Sequence, residues 1–121
     1  FLRKLLMNSK KEVIIILEYA SAFEKAIESI WTQKDNCLAV CKVIYICPEE
    51  KVKEVEVVVK KRRKEGWEAK CLSLNSAKSF LICDDLLFVT STEKPGEIEV
   101  SLNKKIIASG KEEFLRIQNM I

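Results

Sequence analysis

Apolar residues fall along this chain in two rhythms, short continuous runs and runs spaced three or four apart, and their alternation predicts its elements. Phe1, Leu2, Leu5 and Leu6 stand at helical spacing with Arg3 and Lys4 opposite. Residues 1–10 therefore read as the end of a linker helix, and Phe1 in place of Met points to a preceding segment. Glu12 to Leu17 is a β-branched apolar run bounded by Lys10-Lys11 and Glu18, short enough for a strand buried on both faces. From Ser21 to Trp31, Phe23, Ile27, Ile30 and Trp31 recur at i, i+4, i+7 and i+8, an amphipathic helix. Thr32 to Asn36 is turn-like, and Leu38 to Cys47 is a second strand.

Pro48, followed by Glu49 and Glu50, has the signature of a first helical residue. The helix it opens runs to Lys64 and stops at Gly66, with Val52, Val55 and Val59 on one face, although Val55 to Val59 also carries strand-like β-branching. Trp67 to Leu74 is a third strand. Two short apolar runs, Ser79 to Cys83 and Leu86 to Thr90, flank Asp84-Asp85 as a hairpin. Thr92 to Gly96 is a loop, and Glu97 to Leu102 alternates like a half-exposed edge strand. Ser109 and Glu112 form an S-x-x-E capping box ahead of Phe114, Ile117 and Ile121, which predicts a closing helix.

This order predicts one α/β domain over residues 1–121. Right-handed crossovers give a mixed, mostly parallel sheet with helices on both faces and an antiparallel hairpin at one side. The 121 residues, 48% of them hydrophobic, suit a single core. The longest uncharged apolar stretch, Val13 to Leu17, is far below the roughly 20 residues of a membrane span. Twenty-one basic and 18 acidic residues are interspersed, so a net charge of +3 does not by itself imply a polyanionic partner. Five cysteines within apolar runs read as reduced core thiols, which places the protein in the cytoplasm.

The chain contains no histidine, so imidazole base catalysis and histidine-ligated metals are closed to it. With three glycines far apart, it has no glycine-rich phosphate cradle, and no cofactor is expected. Cys37, Cys41 and Cys47 would share a face if one strand carried all of them, but they lack the paired knuckles of a structural zinc site, and core thiols are the simpler reading. Trp31 and Trp67 read as core residues. Lys60, Lys61, Arg62, Arg63 and Lys64 are consecutive cations. They read either as a phosphate-contacting patch or as a solvated helix end complementing the dipole. Glu18 and Tyr19 follow the first strand at its C-terminal end, where open α/β sheets place ligands.

The segment Ser76-Ala77-Lys78-Ser79-Phe80-Leu81-Ile82-Cys83-Asp84-Asp85 resembles the region around the His-x-Lys motif of phospholipase D-like domains. The upstream Lys-Lys-Glu-Val-Ile-Ile-Ile strand and the Lys-Glu-Gly-Trp-Glu-Ala-Lys-Cys turn resemble the same fold. Ser76 stands where that family has its nucleophilic histidine and Lys78 matches its lysine. The aspartate comes one residue late, at Asp84, with Cys83 in its usual place. The resemblance implies a domain without that catalysis, similar to the effector domain of archaeal regulators of the TrmB type. Such a domain is expected to bind a small-molecule effector at Glu18, Tyr19, Ser76 and Lys78, to form a homodimer, and to meet DNA only through an upstream domain. The alternative is an interaction or nucleic-acid module acting through residues 60–64.

Overall fold

The computed structural model describes residues 1–92, 94 and 96–121. Its elements are α1 (Leu2–Asn8), β1 (Glu12–Glu18), α2 (Ala22–Ile27), β2 (Val40–Cys47), α3 (Val52–Lys64), β3 (Glu68–Ser73), β4 (Phe80–Cys83), β5 (Leu87–Ser91), β6 (Ile98–Ser101) and α4 (Lys104–Gln118). The strands form one six-stranded sheet in the order β3-β2-β1-β4-β5-β6. One half, β1 with β2 and β2 with β3, is parallel. The other half, β1 with β4, β4 with β5 and β5 with β6, is antiparallel. The sheet changes character at β1, whose Val13 to Leu17 are all buried, as the uninterrupted apolar run predicts.

Alternate residues of each strand supply two apolar layers. On one face Val13, Ile15, Leu17, Val43 and Tyr45 meet Leu6, Phe23, Ile27, Trp31, Val55 and Val59 from the helices. On the other, Ile14, Ile16, Ile44, Phe80, Ile82 and Phe88 meet Ile107, Phe114 and Ile117 of α4. Helices thus cover both faces. Helix α4 comes close because residue 110 is glycine: a Cβ there would lie 2.8 Å from Cε2 of Phe88 and 3.0 Å from Cδ1 of Ile82. Proximity to the sheet outweighs the helix propensity that alanine would add.

Several local expectations are corrected. The helix from Ser21 continues as 3₁₀ from Glu28 to Asn36 after one α-helical stretch, so the residues read as a turn belong to it. Strand β2 starts at Val40, and Leu38 is exposed. Pro48 is extended, with φ −68° and ψ 159°, and precedes a 3₁₀ turn over Glu49–Lys51, so it caps rather than opens the helix. Ser109 and Glu112 are not a capping box. Helix α4 begins at Lys104, where the Asn103 side chain accepts hydrogen bonds from the backbone N–H groups of Lys105 and Ile106, two donors that need a partner in any first turn. In the Thr92 to Gly96 loop, Glu93 and Pro95 lie outside the described residues. Helix α1 packs against the 3₁₀ segment through Leu2 and Leu6 and is part of the domain core.

The Gly66 prediction holds. Gly66 has φ +99°, its N–H donates to the Arg63 carbonyl, and the Trp67 N–H donates to the Arg62 carbonyl, a Schellman end to α3. The hairpin also holds. Asp84 and Asp85 have φ 52° and 58°, the type I′ pattern that aspartate tolerates, and the Leu86 N–H donates to the Cys83 carbonyl.

Asp84 has a second task. Its Oδ2 accepts a hydrogen bond from the Lys10 N–H and its Oδ1 accepts from Lys11 and Glu12, each at 2.8 Å, which ties the hairpin to the start of β1. Desolvation pushes its pKa upward, but the three backbone donors outweigh this and hold it below its ordinary 3.8. Asp84→Ala is expected to cost roughly 1.5–3 kcal/mol in urea unfolding, the range for hydrogen bonds to a charged group. Because the folded pKa is depressed, the unfolded state binds the proton more readily. The Asp84 contribution is fully present above the ordinary carboxylate range and is lost as pH falls through the folded value. Stability profiles of the native and Asp84→Asn proteins should converge at acid pH, and parallel profiles would refute this.

Candidate functional site

Two clefts lie near the C-terminal end of β1, and they divide the predicted site residues between them. Alternation along an extended strand makes this unavoidable, since Glu18 and Tyr19 are neighbours and point to opposite sides. Glu18 lines a cleft of about 330 Å³ together with Ser21, Ala77, Lys78, Ser79 and Thr90. The Glu18 N–H donates to Oγ of Ser79 at 2.9 Å, and the Thr90 hydroxyl donates to the Ser79 carbonyl at 3.1 Å. These bonds close the mouth of the sheet between β1, β4 and β5. Glu18 and Lys78 come together here, with no ion pair formed by either among the described residues. Ser76 is exposed and does not line this cleft.

Tyr19 lines the other cleft, of about 520 Å³, with Glu24, Trp31, Lys61, Arg62 and Glu65. Its phenol pKa is raised, first by the Glu54 carboxylate beside it and then by burial. Glu24, which accepts a hydrogen bond from the Ala20 N–H at 2.9 Å, is raised by burial.

Arg62 occupies the floor of this second cleft. Its guanidinium sits 4.3 Å from the Trp31 ring centroid, donates from Nε to the Tyr45 hydroxyl at 3.1 Å, and donates from NH1 to Oε1 of Glu65 at 2.6 Å. The Arg63 Nε donates to the Ala69 carbonyl at 2.9 Å. The basic run is largely an exposed end of α3, with its cations in the last turn, and Arg62 is the member that departs from this. Arg62 is half-buried against the sheet, while Lys60, Lys61, Arg63 and Lys64 are exposed, Arg63 keeping its one bond to the Ala69 carbonyl. The sequence carried a faint signal of this, because only the guanidinium, with its fork of donors, suits a partly buried site. Trp31 and Trp67 are buried core residues in edge-to-face contact, 4.9 Å between centroids.

Asp84 belongs to neither cleft. It stands at the opposite end of β4 from Lys78, with its carboxylate engaged by the backbone of residues 10–12. Cys37, Cys41 and Cys47 do lie in the same core layer, but spread along it rather than gathered at one point. Cys37 precedes β2, and its sulfur lies 3.7 Å from that of Cys41, whereas Cys47 pairs with Cys71 at 3.5 Å near the other end of the strand. Among the described residues no group of three or more cysteines and carboxylates could hold a metal ion. Burial first, then the neighbouring thiol, pushes Cys41 and Cys71 up to about 12, and burial pushes Cys83 to about 11.

The fold and its clefts define the class: an α/β domain whose sheet switches from parallel to antiparallel at one buried strand, with a charged cleft at that strand's C-terminal end. No protein-family model matches the chain, and no curated protein matches it. Among solved structures the fold is similar to that of TrmBL2, described as an archaeal chromatin protein with a novel mode of DNA binding. The TM-score is 0.54 and the identity 17%, over 95% of this chain and 43% of that one. This chain thus spans less than half the length of that protein, and the likeness is one of fold. No helix among the described residues is long and apolar enough to cross a membrane.

Two outcomes test this geometry. Arg62→Met removes the donor to the buried Tyr45 hydroxyl and should cost about 1–3 kcal/mol, with Arg62→Lys recovering only part. Because a thiolate is the nucleophile, the folded protein at pH 8 should alkylate with iodoacetamide far more slowly than in urea at the buried Cys41 and Cys83, and with less protection at the half-buried Cys71. Rapid labelling of Cys41 in the folded state would contradict the burial assigned to it.

Proposed function

We propose that this domain is a non-enzymatic sensing and dimerisation module of a transcription regulator. In this reading it takes a small polar effector in the Glu18–Lys78 cleft, and DNA is contacted by segments outside residues 1–121. The observation that carries the reading is the cleft itself. Glu18 and Lys78, neither of them in an ion pair among the described residues, line one space at the C-terminal end of the switch strand, where sheets of this kind take ligands. The fold similarity to TrmBL2 supports a connection with DNA-associated proteins. The chain's lack of histidine supports binding over turnover, because Ser76 has no imidazole to activate it or to replace it as a phosphoryl acceptor. Phospholipase D-like ancestry with a vacated catalytic position accommodates both features. A regulator of this type works by binding its effector more tightly in one subunit arrangement than in another.

A second reading, an interaction or nucleic-acid module, is favoured by one observation: Lys60, Arg63 and Lys70 line a common cleft on the β3 edge. Only Lys60 and Lys70 are free to be tested there, since Arg63 is engaged by the Ala69 carbonyl.

Thermal-shift screening of polar metabolites, with light scattering in parallel, tests the first reading. An effector at about 100 times its Kd should add roughly 2.7 kcal/mol of stability. Lys78→Ala should abolish the shift, Tyr19→Phe should leave it intact, and the effector should change the dimer fraction. A shift that survives Lys78→Ala would sink the site assignment. For the second reading, Lys60→Glu with Lys70→Glu should remove a salt-dependent affinity for duplex DNA, and the lack of any such affinity in the native domain would dismiss it.

A further inference from the structure

On the α4 side of the sheet, Lys78 also borders a groove of about 500 Å³, lined with Phe80, Phe88, Lys105, Ile106, Ser109, Gly110 and Glu113. Its floor is a pair of stacked phenylalanine rings, 5.4 Å between centroids and 22° between planes. Ile106, 42% exposed, forms an apolar wall, and the bare backbone of Gly110 lets the helix lie against Phe88 without filling the space. Two lysines line this groove. Nζ of Lys78 is 5.7 Å from the Phe88 ring centroid, and Lys105 projects from the first turn of α4. Neither pairs with a carboxylate among the described residues, whereas the one lining acid, Glu113, is already bound by Nε of Arg116 at 3.0 Å. The groove therefore offers an aromatic floor and an uncompensated positive rim within the size range of small-molecule sites.

We propose that this groove binds small aromatic carboxylates, with the ring against Phe88 and Ile106 and the carboxylate between Lys78 and Lys105. Neither half of such a ligand suffices alone. A carboxylate without a ring meets two solvated lysines, whose attraction in water is weak. A ring without a carboxylate gains the apolar contact and leaves the cations unpaired. Joining the two makes the second contact intramolecular, and the apolar body shields the charge-assisted hydrogen bonds from water. The site is distinct from the Glu18–Ser79 cleft, with which it shares only Lys78, and it stands whether or not the domain serves a regulator.

An NMR titration of the isotopically labelled full chain with phenylacetate tests this, with acetate and benzyl alcohol as the separate halves of the ligand. Phenylacetate should give saturable shifts at the amides of Phe88, Lys105 and Ser109, and each half should bind about tenfold more weakly or worse. Lys105→Glu should weaken phenylacetate by about tenfold, because it replaces an attraction with a repulsion. Lys104→Glu, one residue away and outside the groove, and Glu18→Gln, in the other cleft, should leave the affinity within about twofold. Absence of saturable shifts, undiminished binding by Lys105→Glu, equal binding of benzyl alcohol, or shifts confined to Glu18 and Ser79 would each overturn the proposal. Lys105 and Lys104 are exposed helix-surface residues, so both variants should fold, and their unperturbed amide spectra verify it.

Discussion

The constraint on which the rest of this structure depends is that β1 must be dry on both faces and still have its polar ends answered. Val13 to Leu17 are buried to within 2% of full exclusion. At about 1.5–3 kcal/mol for each large apolar side chain, no arrangement that exposes one face of the strand would be competitive. Helices must therefore lie on both sides, and strands must flank both edges. The parallel partner β2 comes by way of α2 and the 3₁₀ segment, and the antiparallel partner β4 follows β3. What secures β1 lengthwise is β4 and its flanking residues. Asp84 binds the backbone N–H groups of residues 10–12 at one end, and Ser79 accepts the Glu18 N–H at the other. Two side chains five residues apart thus fix both ends of the strand and set the mouth of the Glu18 cleft.

The elements legible in the sequence were those whose cause is local. The β1 run, the Gly66 terminus, the Asp84-Asp85 turn and the alternating β6 edge each rest on residues within a few positions of one another. The elements misplaced were decided from a distance. Ser109 and Glu112 satisfy a capping pattern, but Ile107 and Gly110 are needed against the sheet, so α4 starts earlier, at an Asn cap. The helix after Ser21 tightens to 3₁₀ where Ile30 and Trp31 turn in beneath α1 and α3, a requirement of packing that the apolar spacing does not reveal. The strand-like valines of α3 form a helix because Val55 and Val59 are one helical turn apart on the face that the sheet needs.

The candidate site was half legible for a similarly plain reason. Sequence proximity suggested that Glu18 and Tyr19 act together, yet the period of a strand separates adjacent side chains to opposite faces. The same logic recovers the pair that does meet, because β1 and β4 run antiparallel and the end of one adjoins the beginning of the other. Lys78, just before β4, therefore reaches the cleft of Glu18, while Asp84, just after β4, is carried to the far rim. Within the basic run, the docking of Arg62 was illegible for the opposite reason. Charge in sequence says nothing of partners in space, and Arg62 finds Tyr45, Trp31 and Glu65 only once α3 is docked.

Lys78 gives these separate spaces a physical connection. One ammonium borders both the Glu18 cleft and the groove beneath α4, and a single charge cannot be fully committed to a ligand in each. If an anion in the α4 groove holds Lys78 beside Phe88, where its Nζ already lies 5.7 Å from the ring centroid, the Glu18 cleft is denied the one cation that lines it among the described residues, and its preference shifts toward positively charged or neutral groups. Linkage makes the effect reciprocal, so whatever factor one ligand imposes on the other is imposed in return. The coupling needs no movement of the sheet, which the double burial of β1 resists. It needs only a change in the position of one exposed side chain between two fixed walls, and the short reach of a lysine stem sets its scale.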